Sequence, residues 1–351
     1  MKKIRVMIIE DSPSVREMLI YIINNDPRLE VAAVAESGEK AIKIINRVRP
    51  DVISMDIRLP GIDGFETTKM IMKMQPTPIV IVSASVEKED LKISMNALKA
   101  GALSVAEKPV SVNQPSFNQF AEKICTQLAI MSEVKVVSQR LSRERRPAPA
   151  AFKSTDQQRI EQNGSFSWLG LVASTGGPKA LSIILGSLPY DFPLPVFVVQ
   201  HITETFHQGF VRWLGSNTSL PVVMVEKPAP ITPGTVYLPS PDHHLIVQNH
   251  TVKNDHGPLV CRQRPSGTVL FNSMASQGGK QSIGILLTGM GEDGAEGLKS
   301  IKDAGGYTIA EDESTSVVYG MPAAAAAIGA SCESLPLDKI ASRILDILAK
   351  T

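Results

Sequence analysis

The sequence predicts an α/β protein of two domains, each built on a mainly parallel sheet covered by helices. Three observations carry this prediction. The chain has 351 residues, more than one hydrophobic core ordinarily serves. Short β-rich runs alternate with helix-spaced segments before residue 125 and again after residue 166. Between them, "VVSQRLSRERRPAPAAFKSTDQQ" over 136–158 is poor in large apolar residues and carries an arginine cluster and a Pro-Ala run. It reads as an exposed linker, so the chain divides at 1–125, 126–165 and 166–351.

Composition narrows the function classes. Hydrophobic residues make up 43% and charged residues 20%, as in a soluble globular protein. The formal net charge of +1 gives no global pull toward nucleic acid or a membrane surface. The linker arginines have no interleaved aromatics, and no helix-turn-helix pattern comes after them. Cys125, Cys261 and Cys332 are too scattered for a metal-ligand motif or a disulfide framework. The opening "MKKIRVMIIEDS" meets Glu10 and Asp11 too early for a signal peptide, and no run reaches the length of a membrane span. A cytoplasmic location without membrane insertion is expected.

In the first block, strands are predicted at "IRVMII", "VAAVA", "DVISM", "PIVIVSA" and "ALSVAEK". A helix such as "SVREMLIYIINN" places Val15, Met18, Leu19 and Ile22 on one face. Five strands alternating with helices imply a parallel sheet, whose carboxyl edge gathers the residues at the end of every strand. Glu10 and Asp11 end the first strand, Asp56 the third, Ser83 the fourth and Lys108 the fifth. Acids at strand ends are often only solvated caps. Three carboxylates on one edge, however, repel unless a cation sits among them, and hard oxygen ligands suit Mg²⁺. The hydroxyl and the ammonium could then contact a phosphoryl group on Asp56.

With "MDIRLPGIDGFE", "PTPIVIVSAS" and "AEKP", this block resembles the receiver domain of bacterial two-component response regulators. The resemblance implies a flavodoxin-like five-stranded fold, Mg²⁺ at Glu10, Asp11 and Asp56, and phosphorylation of Asp56 by a histidine kinase. Ser83 and Lys108 would be the switch hydroxyl and the phosphate-contacting lysine. Val105 departs from the pattern, standing where many receivers carry an aromatic switch residue.

In the second block, strands are predicted at "SWLGLVAS", "LPVFVVQH", "LPVVMVE", "SIGILLTG" and "GYTIAE". Helices are expected from Pro178, near Phe206, from Asp293 and from Met321. Prolines and short strands over 228–270 ("GTVYLPS", "HHLIVQ", "LVCRQ") suggest a small antiparallel excursion. The block is thus predicted to be doubly wound.

Two glycine-rich turns compete for the function. Gly289, Gly291 and Gly294 form G-x-G-x-x-G after a strand and before a helix, the pattern of a dinucleotide site. Glu292 and Asp293 would put carboxylates where a pyrophosphate must approach. "STGGP" lacks the lysine and spacing of a P-loop. A different reading takes the strand ends together, since Ser174, His201 and Asp293 each lie just beyond one. A serine hydroxyl needs a base, an imidazole supplies it, and a carboxylate orients the imidazole. Singly, Ser174 or Asp293 could be a helix N-cap and His201 an ordinary strand-end histidine. His243 and His244 compete as the base, whereas His207, His250 and His256 lack a partner in sequence.

"VASTGGPKAL", "VVQH", "LLTGMGEDGAEGLK" and "EDESTSVVYGMP" resemble the catalytic domain of the chemotaxis protein-glutamate methylesterases. With the receiver in front, the resemblance leaves only the linker unmatched. It implies hydrolysis of glutamyl methyl esters on methylated chemoreceptors, release of methanol, and in some members deamidation of receptor glutamines. No cofactor is implied for the ester chemistry. Ser174 matches the nucleophile, His201 the base and Asp293 the acid, while Thr175 and the Met290 backbone match the oxyanion-stabilising positions. Departures are the missing proline after His201, "RPSGT" for Arg-Pro-Ser-Val-Asp, "SPDHH" for a Pro-Gly-Asp pattern, and Glu311 for glutamine. The alternative is a response regulator whose second domain binds a nucleotide or a partner protein without esterase activity.

Overall fold

The computed structural model describes residues 2–83, 93–94, 96–98, 100–108, 117–134, 136 and 166–349. Most of the segment read as a linker, from residue 137 to 165, lies outside the described residues.

The first block forms a parallel sheet in the order β2-β1-β3-β4-β5. Its strands are β1 (Ile4–Ile9), β2 (Leu29–Ala35), β3 (Val52–Met55), β4 (Ile79–Ser83) and β5 (Ser104–Glu107). The period-two rule shows in β1: Met7 and Ile9 join one apolar cluster, Val6 and Ile8 the other. Both sheet faces are therefore covered, and each fully buried aliphatic side chain contributes roughly 1.5–3 kcal/mol. Helices start where the sequence supplies caps. Ser37 Oγ accepts the Lys40 N–H, and Asp63 Oδ1 accepts the Glu66 N–H. The helix Phe117–Ser132 carries on past residue 125, and its Leu128 and Met131 belong to the core of this block.

The second block has a seven-stranded sheet, β15-β14-β13-β6-β7-β10-β8, parallel at every pairing. Its central strands are β6 (Trp168–Ala173), β7 (Val196–Gln200), β13 (Ser282–Leu286) and β14 (Tyr307–Glu311). β8 (Val222–Met224), β10 (Val236–Leu238) and β15 (Glu333–Leu335) complete it. The chain winds one way from β6 through β7 and returns on the other side from β13. A topological switch thus lies beside β6, the position where open α/β sheets place their sites. A separate antiparallel sheet holds β11 (His244–Gln248), β12 (Thr251–Asp255) and β9 (Ala229–Pro230).

Two details of the expected excursion differ. "GTVYLPS" does not join it, because Val236–Leu238 lies in parallel between β7 and β8. All three residues are buried, and Tyr237 stacks on Phe197 with ring centroids 5.8 Å apart, so packing against the main core outweighs proximity in sequence. "LVCRQ" is a reversal rather than a strand. Val260 and Gln263 exchange two backbone hydrogen bonds across Cys261 and Arg262, which hold φ of 50° and 62°. The helices Gly267–Gly278 and Leu337–Ala349 are additions to the elements expected from the sequence. Among the described residues, no helix is long and apolar enough to cross a membrane.

Candidate functional site

Three strand ends meet at the switch. The His201 N–H donates to Ala173 O at 3.1 Å, and the Ser174 N–H donates to Thr288 O at 3.0 Å. Gln200, almost fully buried, donates through Nε2 to Ser174 O (2.8 Å) and His201 O (2.9 Å). A single side chain therefore ties the strand end that carries the serine to the one that carries the histidine. The serine turn depends on two glycines. Gly176 adopts φ 81°, and a Cβ there would lie 2.6 Å from Val317 Cβ. A Cβ on Gly289 would lie 2.7 Å from Ser174 Cβ.

His201 Nε2 lies 2.8 Å from Asp293 Oδ2, and both side chains are buried. Asp293 is not the cap of its own helix, which begins after Gly294 at φ 89°. It sits instead at the N-terminus of the helix Gly267–Gly278. Its Oδ1 accepts the Ser266 hydroxyl (2.6 Å) and the Thr268 N–H (3.2 Å), and its Oδ2 accepts the Gly267 N–H (2.6 Å). Burial alone would raise this carboxyl. The His201 hydrogen bond and charge, with those from Ser266 and Gly267, outweigh burial and hold it below the usual carboxylate range. The helix N-terminus favours the same charge. An ionised carboxylate only accepts, so Nε2 carries a proton, and in the neutral imidazole Nδ1 then holds the lone pair. Nδ1 is buried and without a hydrogen bond, so Ser174 Oγ is not bonded to it in this structure.

The competing histidines have structural roles. His244 Nδ1 accepts the Ser266 N–H at 3.1 Å, which leaves Nε2–H to donate to Pro258 O at 3.0 Å. His243 Nδ1 lies 2.8 Å from Pro241 O. His207 is buried in its helix, and burial pushes its imidazole down to about 4. Thr175 is next to Ser174 in the chain, and Met290 is next to the Gly289 that abuts it. The amides of both lie outside the hydrogen bonds among the described residues, while Thr175 O accepts the Thr288 hydroxyl at 2.9 Å. The glycines of G-x-G-x-x-G are used locally: Gly289 for the approach to Ser174, and Gly291 and Gly294 for positive φ.

In the first block, Glu10, Asp11 and Asp56 offer carboxylate oxygens within 4.8 Å of one another. Lys108 Nζ lies 2.7 Å from Glu10 Oε2 and 2.9 Å from Asp56 Oδ2. Burial raises both carboxyls, with Asp56 raising Glu10 further and Lys108 opposing in each case. Crowded acids pushed toward protonation form an oxygen donor set that fits a divalent cation. Ser83 is buried at the end of β4, where its carbonyl accepts the Lys108 N–H at 3.0 Å. Val105 is half-buried in β5. The two blocks also touch: Thr205 Oγ1 donates to Glu107 Oε1 at 3.2 Å, and Val317 and Val318 pack against the apolar cluster of the first block.

A family model described as CheB methylesterase matches residues 169–344, and one described as response regulator receiver domain matches residues 6–115. The chain belongs to the CheB methylesterase family. It is 51% identical over 349 residues to a protein-glutamate methylesterase/protein-glutamine glutaminase of Paramagnetospirillum magneticum, covering 99% of this chain and 98% of that one. It is 43% identical to a protein of the same name from Syntrophus aciditrophicus, over 99% and 98% of the two chains. The crystal structure of the Thermotoga maritima CheB methylesterase catalytic domain matches with a TM-score of 0.50 and 34% identity, covering 52% of this chain and all of that one. The two-part architecture is therefore that of a receiver domain with a methylesterase domain behind it, and the family is one of enzymes.

Sequence reasoning places Ser174, His201 and Asp293 together but misses the residues that hold them. Gln200 carries no signal beyond being a polar residue at the end of a buried strand. Ser266 does carry one: a serine before Gly-Thr and an apolar helical run is an N-cap pattern, and Ser266 Oγ also accepts the Val269 N–H at 3.4 Å.

Proposed function

We propose that this protein is a phosphorylation-activated serine esterase that hydrolyses glutamate methyl esters on chemoreceptors, releases methanol and serves chemotaxis adaptation in the cytoplasm. The observation that carries the reading is the His201–Asp293 pair at the carboxyl edge where Ser174 emerges. Ser174 Oγ turns onto His201 Nδ1, a contact of the kind that tightens only with substrate in place. Oγ then attacks the ester carbonyl as Nδ1 takes its proton, and Asp293 stabilises the imidazolium. The Thr175 and Met290 amides face the negative oxygen of the tetrahedral intermediate. His201 returns the proton to the departing methoxide, and water hydrolyses the acyl-enzyme by the same steps in reverse. A glutamine side chain presents the same carbonyl with ammonia as leaving group, so deamidation fits the same machinery.

In the receiver, Glu10, Asp11 and Asp56 would hold Mg²⁺, which supplies positive charge to a phosphoryl group bound for Asp56. A histidine kinase is the donor, with Lys108 and Ser83 on the phosphoryl oxygens. The Thr205–Glu107 bond, four residues after His201, and the packing of Val317 and Val318 support a resting state in which the receiver restrains the catalytic edge. Methanol release from methylated receptor membranes by wild type and Ser174→Ala tests the chemistry. Loss of several orders of magnitude is expected, and equal rates would refute it. Removing residues 1–135 should raise the unphosphorylated rate, and no rise would remove the restraint.

A further inference from the structure

Glu311 is the most deeply buried carboxyl that the proposed reaction leaves unused. It ends β14 and is fully excluded from solvent. Its Oε2 accepts the Thr288 N–H at 2.8 Å, while Oε1 makes no hydrogen bond. Thr288 in turn holds both residues of the nucleophile turn. Its carbonyl accepts the Ser174 N–H at 3.0 Å, and its hydroxyl donates to Thr175 O at 2.9 Å. The Val318 N–H donates to that same hydroxyl at 2.9 Å. Thr288 is thus a junction fixed on one side by a buried carboxyl and on the other by the turn that presents Ser174.

We propose that Glu311 is a positioning residue for the nucleophile, setting the Ser174–Thr175 turn through Thr288. The inference rests on the esterase reading and deepens it. An unpaired Thr288 N–H in a site closed to water has no substitute acceptor, so the peptide would rotate to find one. Turning the Leu287–Thr288 peptide changes φ at Thr288 and shifts its Cα, and Thr288 O and Oγ1, which hold the Ser174 N–H and Thr175 O, move with that Cα. The loss therefore falls on the transition state and spares the binding of substrate. Glutamine keeps a carbonyl oxygen in the Oε2 position, so it preserves the bond.

The test uses the full chain with a small-molecule phosphodonor and Mg²⁺, and measures methanol release from methylated receptor membranes. Glu311→Leu, which removes the acceptor, should lower kcat at least ten-fold with KM within two-fold. Glu311→Gln should recover most of that loss. A Leu variant with wild-type kcat, or a Gln variant no better than Leu, overturns the proposal. Should Glu311→Leu fail to fold, Thr288→Val tests the same junction by removing the hydroxyl that bonds Thr175 O and accepts the Val318 N–H, while the Thr288 backbone bonds to Glu311 and Ser174 stay. A kcat loss at constant KM supports the proposal, and an unchanged kcat overturns it. Ser174→Ala separates the two levels: if it retains activity the esterase reading fails, whereas an inactive Ser174→Ala beside an unimpaired Glu311→Leu sinks only the positioning role.

Discussion

Asp293→Asn should be destabilising and slow for separable reasons. Both carboxylate oxygens are saturated: Oδ1 by Ser266 Oγ and the Thr268 N–H, Oδ2 by the Gly267 N–H and His201 Nε2. An asparagine NH₂ in the Oδ2 position would oppose the Gly267 N–H and the imidazole N–H at once. In the Oδ1 position it meets the Ser266 hydroxyl, which can turn to accept, and orphans only the Thr268 N–H. The second flip is therefore the one adopted. One orphaned buried donor costs about 1–3 kcal/mol. Weakening the remaining charge-assisted bonds brings the loss to roughly 2–4 kcal/mol. The oxygen left toward His201 keeps the proton on Nε2, so the tautomer survives while the charge is lost. A carboxylate–imidazolium attraction is on the order of 4 kcal/mol near 4 Å at an effective dielectric of 20, or about a thousand-fold in rate. Urea denaturation tracked by fluorescence isolates the stability term, because both tryptophans, Trp168 and Trp213, lie in the catalytic domain. Methanol release measures the rate. An Asn variant of wild-type stability would show that the cradle on the helix N-terminus is not formed in solution.

Glu311 and His207 should bend the stability profile in opposite directions over nearly the same pH range. Burial holds Glu311 at about 7 against an ordinary 4.5, so the unfolded chain releases that proton first and stability falls as pH rises between the two values. His207, at about 4 against 6.5, is protonated first in the unfolded chain, so stability falls as pH drops through that interval. Each effect amounts to roughly 3 kcal/mol at full extent, so Glu311→Gln should gain up to that much at pH 8 and almost nothing at pH 4.5. Equal gains at both pH values in urea melts would refute the buried ionisation. Gln200→Leu should reduce kcat at least ten-fold, since it cuts the link between Ser174 O and His201 O and leaves Ser174 O only the Gly177 N–H; a stopped assay with unchanged kcat would contradict this. Chelating divalent cations, or Asp56→Asn, should abolish phosphodonor-dependent activation while leaving the basal rate intact, as read by methanol release with and without donor.

The sheets and the strand-end residues are legible because parallel strands buried on both faces leave continuous apolar runs, and the residues just beyond each run must lie on one edge. Val236–Leu238 escapes assignment for the same reason: a three-residue run carries no mark of which sheet it will join. The site's supporting bonds are legible only where they use local chemistry. Ser266 announces its helix within four residues, whereas Gln200 and Glu311 act across separations of 26 and 23 residues through backbone atoms. A backbone partner leaves no imprint on composition, since every residue but proline offers the same groups.

Two kinds of chemistry sit side by side in the chain at the end of β5. Lys108 reaches the acidic pocket at Glu10 and Asp56, and Glu107 reaches Thr205 in the catalytic domain. The contact to the acidic pocket and the contact to the catalytic domain are thus a single peptide link apart, about 3.3 Å along a strand. On the proposed activation, a phosphoryl group at Asp56 would need no relay through the interior of either domain. A pull on the lysine toward a new charge would then act on its neighbour through one shared backbone link.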